Sequence, residues 1–473
     1  MNAEIKSICK EQLHKYLDDE QKKLFSEKEK LFDSFFELVF KNGITIFFEL
    51  FSSQSIFADI REFISSEWSN IISNSDFLWW IISIYIKIFK EVDDKVSKDW
   101  YRLVELMGDM HGEPSKFLVN KDNKKFIYYS AENNSEKEII ELLIAFDPKL
   151  KNYFPNYIEI NNSLYREYIE INNQSNIKWD VENYYYALWY IIPYILTLRW
   201  VDLHWENILC NIPYPVFFDF ETTFSPFLSK EQEEWYDILK TWLINIGSDG
   251  SSHSGIFWAL FRSYTSLYPI VEWDFSHPII SRKQFWNKRK SNAVFLEWAV
   301  CYPDFYSEFL LQWYKDSSEK IKNNLKQFEG SFFTNNFNSR AIIRVSWFYE
   351  SMIRFISYLS LQKSKEEIYV EVFSYFEKCP YFISFSPSKD FLKLEFELLY
   401  SWLIPIYYSS INELSCINKD GKVIWNIPYL SSELIKTEIH NPQFFDKNYS
   451  ILKDKLLSFR KEINITQLAE YAL

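Results

Sequence analysis

Six histidines occur in the chain, and two of them stand two residues after an aspartate, in Gly108-Asp109-Met110-His111 and Val201-Asp202-Leu203-His204. A single Asp-x-His pair is commonly a core histidine held by a nearby carboxylate. The second copy continues as Trp205-Glu206-Asn207 and is followed by Asp219-Phe220-Glu221. An aspartate, an asparagine five residues on and an acidic pair beyond the next apolar run match the spacing that phosphoryl transfer uses. There a loop Asp orients the attacking hydroxyl, while the Asn and the later Asp hold Mg²⁺ against the phosphates. Mg²⁺ takes hard oxygen ligands and keeps several waters, so one carboxylate, one amide oxygen and the phosphates complete its shell. The plain alternative is an Asp/Asn-rich loop that caps a helix.

At these residues the sequence resembles the dehydratase domain of class II lanthipeptide synthetases. That family runs G-D-x-H, a Y-K-P-R strand, a D-x-H-x-x-N loop and an acidic D-x-E strand. The matching stretches are GDMHGEPSKFLV (108–119), LYREYIEI (164–171), VDLHWENIL (201–209) and PVFFDFETTF (215–224). A further likeness lies at 339–349, where the family carries R-x-x-x-R-x-T near a tyrosine and this chain has Arg340, Arg344, Ser346 and Tyr349. The resemblance implies ATP and Mg²⁺ as cofactors and a ribosomally made precursor peptide as partner. Its Ser or Thr would be phosphorylated and then lose phosphate to give a dehydroamino acid. It assigns catalysis to Asp202, His204, Asp109, His111, Arg340 and Ser346, and nucleotide and metal binding to Asn207, Asp219 and Glu221. A guanidinium holds a departing phosphate through two parallel hydrogen bonds, which suits Arg340 to the elimination. The plain reading of Arg340 is an exposed helix arginine.

One position departs from that pattern. The family's strand lysine falls at Tyr129 in FIYYSAE (126–132), and a phenol does not replace an ammonium against phosphate. Lys116, Lys124 and Lys125 are the lysines near enough in sequence to fill in. The substitution leaves open a catalytically impaired relative acting as a peptide- or nucleotide-binding scaffold, and a kinase that stops at the phosphopeptide. No Cys-Cys-His set follows Cys416, so no zinc cyclase is expected here, which leaves a separate cyclase as partner or a product that stays uncyclised.

The elements that must position these residues read as an α+β fold. Residues 1–95 form a helical N-terminal region, in which Leu31, Phe32, Phe35, Phe36, Leu38, Val39 and Phe40 give a broad apolar face. Residues 96–228 form a core that carries the GDMH, VDLHWEN and DFE motifs, lipid-kinase-like by the resemblance. Within it KFLVN and KKFIYYS flank the turn-like KDNK and read as a β-hairpin. Tyr184–Trp200 reads as a buried helix and VFFDF as a strand after the NIPYP turn. Residues 229–473 read as mostly helical, with polar loops at 245–255 and 330–340. Only eight glycines occur and no Gly-rich phosphate loop is among them, so a nucleotide site must be built differently.

Composition bounds the rest. At 473 residues, 47% apolar and 20% aromatic, the chain is structured and larger than one ordinary core. A net charge of −13 argues against a general nucleic-acid binder and suits a basic peptide partner. Five scattered cysteines without a metal-ligand pattern, and an N-terminus without an apolar signal core, lead to the expectation of a reduced, cytoplasmic protein. Phe77–Phe89 and Tyr184–Trp200 are apolar but fall short of the roughly 20 residues a membrane span needs. They also hold Lys87, and Pro193 with Arg199, so both read as buried helices and no membrane span is expected.

Overall fold

A computed structural model describes residues 2–39 (except 27 and 38), 76–107, 116–129, 135–203, 207–226, 236–244 (except 242), 264–265, 270–274, 277–281, 284–285, 294–297, 299–301, 303–344, 346–360, 363–378, 388–418, 421–427 and 430–462. Helices and small, mainly antiparallel sheets alternate along it.

The principal sheet has five antiparallel strands: β1 (Arg102–Met107), β2 (Lys116–Lys121), β3 (Lys124–Tyr129), β4 (Tyr157–Ile160) and β5 (Ser163–Glu167), in the order β1-β2-β3-β5-β4. Two-residue loops close the β2–β3 and β4–β5 hairpins. Asp122 and Asn123 have φ 50° and 61°, and Asn161 and Asn162 have φ 48° and 63°. Paired positive φ values fit the right-handed twist of the strands, and short Asx side chains tolerate them better than other non-glycine residues. The hairpin read from KFLVN-KDNK-KKFIYYS therefore forms with its turn at Asp122-Asn123.

Side chains alternate between faces along a strand, so the register sorts them. Phe117, Val119, Tyr128 and Tyr165 lie on one face with Leu103 and are buried against Tyr85 and Phe89 of the Asp76–Lys98 helix. The helices Ser346–Leu359, Lys365–Lys378 and Lys389–Tyr400 complete that core. Each aromatic ring so buried contributes on the order of 2–3 kcal/mol. The opposite face carries Lys116, Tyr129, Tyr157 and Arg166: Lys116 pairs with Tyr129, and Arg166 with Ile127 and Tyr157.

A second core gathers the helices Ser135–Phe146, Lys178–Tyr190, Ile192–Thr197, Ser307–Asn323, Leu325–Phe332, Ser431–His440 and Phe444–Glu462. Tyr184–Trp200 is buried as expected but is two helices, because Pro193 lacks an N–H and is accommodated in the first turn of a new helix. In this core Asp147 accepts from Tyr190 and Tyr194 hydroxyls, each at 2.7 Å, and from the Lys320 ammonium at 2.7 Å.

Beside the N-terminal helices Asn2–Tyr16 and Asp19–Phe25, Leu31, Phe32, Phe35 and Phe36 of the helical stretch 29–37 are buried, as is Val39; Leu38 and Phe40 lie outside the described residues. The C-terminal region combines its helices with short strands that the sequence reading does not name. Among the described residues it holds six short strands between 264 and 301 and a four-stranded sheet of Asn338–Arg340, Tyr407–Ser410, Ser415–Asn418 and Val423–Asn426. These strands are two to five residues long, too short for alternation to register in the sequence. The 330–340 loop is correspondingly the end of one helix, a turn and a strand, and the 245–255 loop lies outside the described residues. Among the described residues no helix is long and apolar enough to cross a membrane.

Candidate functional site

The strands Ile208–Asn211 and Tyr214–Phe217 form a hairpin with Ile208 opposite Phe217. The register continues one step, as Phe218 N–H donates to the Asn207 carbonyl at 3.3 Å. Asn207 therefore sits across from the residue before Asp219. The VFFDF strand ends at Phe217, earlier than its apolar run suggests, because Asp219 turns into the left-handed region with φ 72°.

A set of backbone ties fastens this turn to the loop that carries Asp202. Phe224 N–H donates to the Leu198 carbonyl at 2.7 Å, and Thr222 Oγ1 donates to the Val201 carbonyl at 2.6 Å. Trp200 stacks on Phe220 with ring centroids 3.9 Å apart. Asn207 Nδ2 donates to the Asp202 carbonyl at 2.9 Å. Arg199, Asp202, Asp219 and Phe224 all have positive φ within this one stretch. Such backbone costs about 1 kcal/mol or more per non-glycine residue and persists only where the surroundings fix it, which is a mark of functional sites.

Lys116 of β2 reaches across from the sheet to this turn, its Nζ 3.2 Å from Asp219 Oδ2. Burial works against the ammonium, but the carboxylates of Asp219, Glu221 and Glu136 outweigh it and keep Lys116 protonated far above neutral pH. Glu136, in the first turn of the Ser135–Phe146 helix, accepts from the Asp219 backbone N–H at 2.8 Å. Arg166 of β5 lies over the Phe218 ring, 4.5 Å from its centroid. The Tyr129 hydroxyl and the Arg166 Nε and Nη1 are buried without a hydrogen-bond partner among the described residues.

Arg340 enters from the far side. It lies on the Asn338–Arg340 strand rather than on an exposed helix, with only 13% of its side chain exposed, and its Nη1 meets Glu221 Oε1 at 2.5 Å. Burial would raise the Glu221 carboxyl, but Arg340 and Lys116 outweigh it and hold Glu221 below its ordinary value. Asp202 and Asp219 also act on the Arg340 charge, so residues far apart in sequence share one field. Tyr408, paired with Arg340 on the neighbouring strand, borders it.

Contacts thus tie Asn207 to the Asp202 backbone, Asp219 to Lys116 and Glu221 to Arg340, and Asp202 and Asp219 both act on the Arg340 charge. Ser346 opens the Ser346–Leu359 helix, but its side chain lies outside the described residues, as do Asp109, His111 and His204. Arg344 belongs elsewhere: it is fully buried with Glu395, Nε to Oε1 3.3 Å, and Tyr349 donates to the same carboxylate at 2.6 Å. Sequence reasoning did not assign Glu136, Arg166 or Tyr408 to the site and named Lys116 only among substitutes. Strand parity from the KDNK turn was the one signal available, since it sets Lys116 and Tyr129 on the same face.

Among the described residues no group of three or more His, Cys, Asp or Glu side chains is placed to hold a metal ion. Mg²⁺ needs no such cage, since one or two carboxylates, waters and substrate phosphates suffice. Asp219 and the Asn207 amide, whose nitrogen is committed to Asp202, fit that limited donor set. The Glu221 carboxylate is instead engaged by Arg340.

Residues 88–244 match a family described as a domain of unknown function, DUF4135. That domain is found in lanthipeptide synthetase-like proteins. The matched stretch includes the five-stranded sheet and the Asp202–Glu221 loop and turn, and ends well before Arg340. No curated protein matches the chain.

Proposed function

We propose that the protein is a lanthipeptide-type dehydratase with a kinase-like core, which phosphorylates Ser or Thr of a precursor peptide with ATP and then eliminates phosphate. The observation that carries this reading is the convergence of Lys116, Asp219, Glu221 and Arg340, from three separated parts of the chain, around a strained acidic turn. A basic sheet face opposite a carboxylate–amide pair suits a polyphosphate and its divalent ion, and an arginine at the rim suits a phosphate that must leave.

Asn207 and Asp219 would hold Mg²⁺, which supplies charge neutralisation on the phosphates. Asp202 is the group for the substrate hydroxyl: it accepts the proton as the hydroxyl oxygen bonds to the γ-phosphorus and ADP leaves. Glu221 keeps Arg340 extended toward the turn. In the second step the Cα proton passes to solvent, the C–H electrons form the carbon–carbon double bond, the Cβ–O bond breaks, and the phosphate leaves with that bond's electrons to be received by Arg340. The net products are ADP, phosphate and dehydroalanine or dehydrobutyrine.

The test is incubation with ATP-Mg²⁺ and a precursor peptide encoded beside the gene, read by mass spectrometry. Loss of the mass of one water per modified residue is expected. Peptide left unmodified across all neighbouring candidates contradicts the reading, and a stable gain of one phosphoryl group restricts it to the first step. Tyr129 favours a second reading, a scaffold that binds nucleotide or peptide without turnover. Binding with no mass change in any peptide would support it.

A further inference from the structure

Resting on the nucleotide reading above, we infer that the sheet itself forms the phosphate-binding wall of the site, with Lys116 of β2 as its anchoring ammonium and Arg166 of β5 as a second cation, flanking Tyr129.

Three independent observations support this assignment. The antiparallel register places Lys116 directly opposite Tyr129, and Arg166 follows on the same face of the next strand. Directly paired residues have Cβ atoms about 5 Å apart, well within the reach of a lysine stem, so an ammonium at either position 116 or 129 serves the same space. The Lys116 ammonium is held there by Asp219 at 3.2 Å and lies 5.9 Å from the Tyr129 ring centroid. Finally, the Tyr129 hydroxyl and two Arg166 nitrogens are buried donors with no hydrogen-bond partner among the described residues. Buried donors of this kind cost about 1–3 kcal/mol each unless something accepts from them, and phosphate oxygens are acceptors.

The other lysines of the hairpin do not compete. Lys125 is exposed and paired with Glu170 at 2.8 Å, and Lys124 is exposed beside the Asp122-Asn123 turn, at the opposite end of β3 from Tyr129. Tyr129 is therefore a neighbour of the ammonium, not its replacement, and the lysine function has moved across one strand pair.

The test is calorimetric titration of the full chain with a non-hydrolysable ATP analogue and Mg²⁺. Lys116→Ala is expected to weaken binding at least about tenfold, Arg166→Ala to weaken it by a smaller factor, and Lys125→Ala to leave it unchanged. Adding Tyr129→Lys to Lys116→Ala is expected to restore most of the affinity, a rescue that a purely structural lysine would not show. Wild-type affinity in Lys116→Ala overturns the assignment while leaving the nucleotide reading intact. Weakening in Lys116→Ala without rescue by Tyr129→Lys overturns the shared-space claim. No binding by the wild-type chain overturns both.

Discussion

Arg340 and Arg344 stand four residues apart in one motif, and each meets a glutamate, yet the two pairs live in opposite surroundings. Arg344 and Glu395 have side chains with no exposure; Tyr349 also donates to Glu395, and Arg344 donates to the Phe376 carbonyl. Burial pushes the Glu395 carboxyl up, and Arg344 and Tyr349 only partly pull it back. Glu221 keeps 35% of its side chain exposed, and Arg340 with Lys116 holds its carboxyl below the ordinary range despite burial. A charge pair that is sealed and saturated stabilises one packing of helices. A pair that keeps part of its surface exposed among charges of both signs is not sealed in this way, and spacing in the sequence does not tell the two apart.

Substitutions on the two sides of this comparison have different expected effects. Arg344→Ala leaves a buried carboxylate without its cation and is expected to cost about 3–5 kcal/mol in urea unfolding. That loss should shrink as the pH is lowered, because Glu395 can then take up a proton. A loss under about 1 kcal/mol would remove the distinction between the pairs.

Asp147 is a second sealed charge, and Asp147→Asn is expected to cost about 2–4 kcal/mol at neutral pH. Burial favours its neutral form, but Lys320, Tyr194 and Tyr190 outweigh this and hold the carboxyl below its usual value. The folded state therefore binds the proton less readily than the unfolded chain. The stability it contributes is complete above the unfolded value of about 3.9 and is lost as pH falls through the lower folded value. Acid titration of stability should be shallower in Asp147→Asn than in the wild type.

Smaller effects follow at the edges. Tyr349→Phe removes one donor to Glu395 and is expected to cost about 1–2 kcal/mol. Arg340→Ala should cost about 1 kcal/mol or less. Its larger consequence should be phosphopeptide accumulation in the mass-spectrometric assay, and unchanged dehydration in this variant would sever Arg340 from the elimination step.

What was legible in the sequence follows from the range of each signal. The KDNK turn and the apolar runs beside it are local, and they form the expected hairpin. The apolar stretch at 184–200 announced burial, and Pro193 announced the break that the helical reading passed over. Asp202, Asn207 and Asp219 were recognisable because their spacing lies within one loop and hairpin. Arg340 could be named only by resemblance, since its approach depends on a short strand far along the chain that pairs with Tyr407–Ser410. Lys116 could be named only as one of three lysines, because cross-strand register, which separates it from Lys124 and Lys125, is not a local signal. The tie from Glu136 to the Asp219 backbone joins residues 83 apart and left no local trace.

The proposed chemistry stands on nucleotide binding through magnesium at the Asp219 turn. It is tested most directly by titrating the wild-type chain and Asp219→Asn with a non-hydrolysable ATP analogue, with and without Mg²⁺, in a calorimeter. A magnesium-dependent binding heat is expected in the wild type, and Asp219→Asn should abolish it while the thermal unfolding transition persists. Binding that is indifferent to magnesium, or equal in the two proteins, would contradict it.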